Sequence, residues 1–174
     1  MENKIIPEGT KSDVTGFDMV KKLFIGFKGK NNSSAILLNS LPQPNYLLTN
    51  SFSGLKRDID SLSNDYEVVY LFGADKNLTD SFRIEQCAEK ENVKLTSVLD
   101  LNEIMEQLTA AGINSIISDN PTQYLCNEAY WYLLKKYQGR AVLIHIPTIK
   151  HYITLNWQKS IIQGYPKFSG VSQS

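Results

Sequence analysis

The sequence is poor in cysteine and histidine, with two of each, and it carries no excess charge of either sign. Cys87 and Cys126 are too few and too far apart for a disulfide framework or a cysteine-rich zinc site. Both are expected as free thiols in a reducing compartment. Eighteen Lys plus Arg balance eighteen Asp plus Glu, and basic residues never run beyond pairs such as Lys135-Lys136. Nucleic-acid backbone binding and electrostatic membrane docking both need a basic face that this distribution does not offer. No apolar run approaches the roughly 18 residues of a membrane span. Near the start, Lys4, Ile5 and Ile6 lead into Pro7-Glu8-Gly9 with Glu2, Asp13 and Asp18 close by. That stretch has neither the apolar core of a signal peptide nor the acid-poor composition of a transit peptide, so the cytoplasm is the expected location. Gly-x-Gly-x-x-Gly and P-loop patterns are missing, which leaves a nucleotide without sequence support.

What is present is an ordinary globular mixture, 42% hydrophobic and 21% charged over 174 residues, enough for one domain with its own core. Residues 1–20 lack a sustained period and read as an N-terminal extension. Residues 21–165 read as a single α/β domain, and 166–174 as a flexible tail rich in Gly, Ser and Gln. Apolar runs at 22–27, 46–49, 67–72, 115–117 and 141–144 predict strands, with weaker strand signals at 82–87 and 93–97. Helices are predicted at 33–40, 54–62 and 124–137. A further helix is marked by a capping box, Asp100 with Glu103, by Leu101, Ile104, Met105, Leu108 and Ala111 at helical spacing, and by Gly112 as the stop. Helices alternating with apolar strands imply a mostly parallel sheet covered on both faces, a three-layer α/β/α sandwich. In such sheets ligands sit beyond the carboxyl ends of the strands, which directs attention to 27–34, 73–79, 118–126 and His145.

Cys126 falls in the first turn of its predicted helix, where unpaired N–H groups and the macrodipole favour a thiolate and should lower the thiol pKa. Cysteine is also among the most often buried residues, so an inert core thiol remains open. His145 interrupts the apolar run Ile144-His145-Ile146-Pro147, and a polar residue there needs a hydrogen-bond partner whether its role is structural or catalytic. His151, beside Lys150 and Tyr152, reads as surface. Cys87 reads as packing.

The segments Tyr124-Leu125-Cys126-Asn127-Glu128-Ala129-Tyr130-Trp131-Tyr132, Gly139-Arg140 and Ile144-His145-Ile146-Pro147 together resemble the cysteine and histidine region of the pyroglutamyl peptidase type I (pyrrolidone-carboxylate peptidase) family. Ile84-Glu85-Gln86-Cys87 resembles the segment carrying that family's catalytic glutamate. Gly26-Phe27 with Asn32-Ser33-Ser34 resembles its N-terminal motif, and the likeness spans roughly residues 22–147. The resemblance implies a thiol peptidase that removes N-terminal 5-oxoproline (pyroglutamate) from peptides, with no cofactor. It implies Cys126 as nucleophile, His145 as base and then acid, and Glu85 as the group orienting the imidazole. Phe27, Asn32 and Tyr124 would contact the substrate. The implied partner is a peptide with an N-terminal pyroglutamate, with no nucleic acid or membrane partner; a homo-oligomer stays open.

Three features depart from the family pattern. Lys30 stands where the family has a second aromatic, and the Gly-Arg ahead of the glutamate is missing, Thr79 standing about where the arginine would. The span from Glu85 to Cys126 is also shorter than usual. These departures keep two other readings in view. One is a catalytically inactive or specificity-altered relative that serves as a binding or interaction protein. The other is an unrelated doubly wound domain with a small-ligand site at its strand ends.

Overall fold

Residues 20–41 and 43–152 are described by a computed structural model, the last two by their backbone alone. The expected N-terminal extension up to residue 19, the tail at 166–174 and the His151 side chain lie outside the described residues. In chain order the elements are β1 (Lys22–Phe27), α1 (Ser33–Asn39), β2 (Asn45–Leu48), α2 (Phe52–Ser61), β3 (Val68–Asp75), β4 (Ser81–Glu85), β5 (Cys87–Lys90), β6 (Val93–Thr96), α3 (Leu101–Ala110), β7 (Asn114–Ser118), α4 (Tyr124–Lys136), β8 (Ala141–Pro147) and α5 (Ile149–Tyr152).

Local chemistry explains the boundaries. Asn32, Ser51 and Asp100 each cap a helix by accepting a first-turn N–H, from Ser34, Gly54 and Glu103 respectively, a contribution of about 1 kcal/mol apiece. The capping box expected at Asp100 is therefore formed at its aspartate side. Chain reversal at Gly112 and Gly139 uses left-handed φ values of 80° and 84°, which glycine adopts without a Cβ clash.

Six strands form the central sheet in the order β2-β1-β3-β8-β4-β7. The first four are mutually parallel. β4 runs antiparallel to β8, and β7 runs parallel to β4, so two strands oppose the other four. The sheet is mostly parallel, as expected, and helices cover both faces. Because side chains alternate along a strand, Phe24, Tyr70, Phe72, Val142 and Ile144 meet Leu37 and Leu38 of α1 and Ile104 and Leu108 of α3. On the opposite face Leu23, Ile25, Val69, Leu71 and Leu143 meet Leu55 and Ile59 of α2 and Ala129, Tyr130 and Leu133 of α4. Each such fully buried aliphatic or aromatic side chain contributes about 1.5–3 kcal/mol of transfer free energy.

Two differences from the sequence pattern shape the site. β3 and β8 each run past their apolar cores, because Gly73, Ala74 and Asp75 pair with His145, Ile146 and Pro147. His145 thus sits inside a strand rather than beyond its end. The 82–87 segment divides at Gln86, whose N–H donates to the Ser118 carbonyl at 2.8 Å. Beyond it the chain leaves the sheet, and β5 pairs with β6 as a separate hairpin. Its turn is formed by Glu91 and Asn92, both left-handed, at φ 50° and 62°, the combination a two-residue hairpin connection favours.

Candidate active site

Alternation along the strands decides which side chains meet. Ala141 and Leu143 face α4, so His145 does too; Val69 and Leu71 place Gly73 and Asp75 on the same side. Phe82 and Ile84 face the other layer, which turns Arg83 and Glu85 toward α4. The register aligns Gly73, His145 and Arg83 in one row across β3, β8 and β4.

His145 and Glu85 are almost fully buried, at 3% and 1% exposure. His145 Nδ1 lies 2.7 Å from Glu85 Oε1. A bare Nδ1 lone pair at that distance would face the lone pairs of a carboxylate, so Nδ1 carries the proton and donates it, leaving Nε2 as the acceptor. The Nε2 side of the ring faces Gly73. A β-carbon placed on Gly73 would stand 3.4 Å from His145 Nε2, 3.3 Å from Cδ2 and 2.7 Å from the Cys126 sulfur. The thiol and the free imidazole nitrogen therefore converge over a residue without a side chain.

Cys126 is the third residue of α4. The helix is preceded by Gln123, which makes no side-chain capping bond, and Tyr124 begins it with φ 64°. A left-handed tyrosine is uncommon and costs on the order of 1 kcal/mol or more. Tyr124 projects into solvent at 80% exposure. The expected lowering of the Cys126 thiol by the helix start is overturned. Burial pushes it up to about 12, the negative charges of Asp75 and Glu85 add to this, and Arg83 opposes it. Two carboxylates and partial removal from water outweigh the dipole of one helix end.

Arg83 was not singled out in the sequence. Its Nε donates to Glu85 Oε1 at 2.6 Å, its Nη2 donates to Asp75 Oδ2 at 2.8 Å, and Nη2 lies 3.3 Å from His145 Nδ1. Burial works against the charge on Asp75, but the Asn77 N–H and the hydrogen bond and charge of Arg83 hold its carboxyl below the usual range. Burial likewise opposes the Arg83 cation, and its bonds to Glu85 and Asp75 outweigh that. The signal that could have found both residues is their spacing: Asp75 follows Gly73 by two, and Arg83 precedes Glu85 by two. Each pair therefore shares one strand face. Tyr130 of α4 completes the surroundings, its hydroxyl donating to the Glu85 backbone carbonyl at 2.8 Å.

Phe27 and Asn32 are brought to each other. Asn32 Oδ1 accepts from Ser34 N at 3.0 Å and from Ser34 Oγ at 2.7 Å, while Ser34 Oγ accepts the Phe27 N–H at 3.0 Å. Phe27 is a core residue at 3% exposure, on the α4 side of the sheet. Lys30 is exposed on the turn between them. Cys87 is buried with its thiol donating to the Asp119 carbonyl at 3.1 Å, a packing role. Among the described residues, no helix is long and apolar enough to cross a membrane.

A mostly parallel, helix-covered sheet with thiol, imidazole and carboxylate gathered on one face defines the class of fold and site. No family model matches the chain and no curated protein matches it in sequence. Solved structures do share the fold. The pyrrolidone carboxyl peptidase of Thermus thermophilus superposes with a TM-score of 0.70 at 16% identity, over 86% of this chain and 100% of that one. Pyroglutamyl peptidase I of Bacillus amyloliquefaciens gives 0.66 at 14% identity, over 86% and 92%. The pyrrolidone carboxyl peptidase of Thermococcus litoralis gives 0.66 at 19% identity, over 86% and 91%. The fold is that of these peptidases.

Proposed function

We propose that the protein is a cysteine-type peptidase that removes N-terminal 5-oxoproline from peptides by thiol acyl transfer. The observation that carries this reading is the Glu85–His145 bond of 2.7 Å with the opposite edge of the ring turned to Cys126 over Gly73. That is a nucleophile, a base and an orienting group in sequence. The thiol is neutral at rest, so His145 Nε2 accepts its proton as the sulfur attacks the acyl carbon, and Glu85 stabilises the imidazolium that forms. The N–H groups at the start of α4, including that of Cys126, receive no capping side chain from Gln123, and in this reading they hold the oxyanion. The imidazolium then protonates the departing amine as the C–N bond breaks, and water, activated by the same imidazole, releases the acid from the thioester. These side chains and one water suffice for the chemistry.

One observation favours a second reading, a relative that holds peptides without cleaving them: the thiol is pushed up to about 12, which makes its activation demanding. Turnover of a pyroglutamyl amide reporter separates the two. The peptidase reading expects wild-type turnover, none above background for Cys126→Ser, and a loss of orders of magnitude for His145→Ala. Glu85→Gln should lose less than His145→Ala, and His151→Ala little. A silent wild type that still binds pyroglutamyl peptide selects the non-catalytic reading.

A further inference from the structure

We propose that Arg83, anchored by Asp75, is a positioning residue of this site, holding Glu85 as the correctly aimed partner of His145. The inference rests on the peptidase reading and extends it to two residues that reading did not require.

The geometry is specific. β8 lies between β3 and β4 in the sheet, and Arg83 is the lateral neighbour of His145. Its guanidinium reaches across β8 to the Asp75 carboxylate on β3 while its Nε stays on Glu85 of its own strand. The planar fork is thus fixed at two points, one on each side of His145, with Nη2 only 3.3 Å from Nδ1. Such two-point anchoring leaves arginine little rotamer freedom, so it can hold its partners in one geometry.

Charge supplies the reason. Glu85 is 1% exposed. A neutral imidazole brings it a hydrogen bond but no positive charge, and a buried carboxylate without a counter-ion is costly to hold in place. The same oxygen, Oε1, receives both His145 Nδ1 and Arg83 Nε, while Oε2 is buried with no hydrogen-bond partner among the described residues. Losing Arg83 would therefore leave Glu85 one neutral donor. A re-aimed carboxylate no longer dictates which nitrogen of His145 carries the proton. Among the described residues, the titratable or charged groups facing this point are Asp75 from β3, Arg83 from β4, His145 from β8, Cys126 and Tyr130 from α4, and Cys87 from β5. Arg83 is the one permanent cation in that set.

The test joins a spectroscopic signature to kinetics. In the wild type, proton NMR should show a far-downfield resonance from the buried His145 Nδ1–H, assigned by its loss in His145→Gln. Arg83→Gln should lose or shift this resonance and lower kcat on the pyroglutamyl reporter on the order of 10²-fold, the scale of a misplaced catalytic group. KM should move little, and the acid limb of kcat/KM should move to higher pH. Arg83→Lys, which keeps the charge, should restore the resonance and part of kcat. Asp75→Asn, which frees only the anchor, should give a smaller loss in the same direction and serves if Arg83→Gln does not fold. Unchanged resonance, kcat and acid limb in folded Arg83→Gln or Asp75→Asn would overturn the positioning role. A wild type without turnover but with an Arg83-dependent resonance would instead overturn the peptidase reading and leave the positioning of His145 standing.

Discussion

The sulfur of Cys126 lies 2.7 Å from the point where a β-carbon on Gly73 would stand, so the strand residue beneath the thiol has to be one without a side chain. Gly73 is not in a left-handed conformation, and its requirement is one of space. Gly73→Ala leaves the backbone acceptable and forces the sulfur aside by rotation about a single bond. The expected result is a fold destabilised by only about 1–3 kcal/mol with reporter turnover nearly abolished, measured by thermal unfolding beside steady-state kinetics. Full activity in Gly73→Ala would show that the thiol does not work from this position.

The raised Cys126 thiol makes a prediction about alkaline pH. A thiol ordinarily at 9.0 and held at about 12 in the fold stays protonated in the native state while the unfolded chain ionises. The unfolded state then binds fewer protons, and stability falls as pH rises from 9 toward 12. Tyr137, its phenol pushed up to about 12 by burial, acts in the same direction. The contribution of Cys126 is therefore read as a difference: Cys126→Ser should lose less stability than wild type between pH 9 and 12 in denaturant titrations. Parallel curves would count against a half-buried neutral thiol. Alkylation of the resting wild type should likewise be slow at neutral pH and keep rising above pH 9, with no plateau below pH 8.

In the peptidase reading, Lys30 bears on how well a lactam is held. Phe27 is buried at the end of β1, Lys30 is exposed three residues on, and Tyr124 is exposed at the start of α4. A small neutral ring gains from apolar walls, and a solvated ammonium provides none. Phe24 cannot substitute, since it faces α1 on the far side of the sheet. Lys30→Phe should therefore raise kcat/KM for the pyroglutamyl reporter roughly tenfold, corresponding to about 1.4 kcal/mol of transition-state binding. An efficient wild type with no gain from the substitution would place Lys30 outside the pocket.

The sequence by itself determined the local pieces. Apolar runs, the Asp100 cap and the glycine stop at Gly112 act over a few residues, and each was legible because its physics is local. The rise of His145 out of an apolar run and the position of Cys126 at a helix start were visible for the same reason. Strand direction was not. Nothing within residues 81–85 distinguishes a strand parallel to β8 from one running against it, yet that reversal sets Arg83 beside His145 and brings Glu85 within 2.7 Å of its ring. Sequence spacing likewise placed Cys126 at a helix dipole and implied a lowered thiol. Only the assembled sheet decided that burial, with Asp75 and Glu85 alongside, pushes it the other way. Desolvation and charge pairing depend on neighbours from β3, β4, β8 and α4 at once, and no window of the chain contains them all.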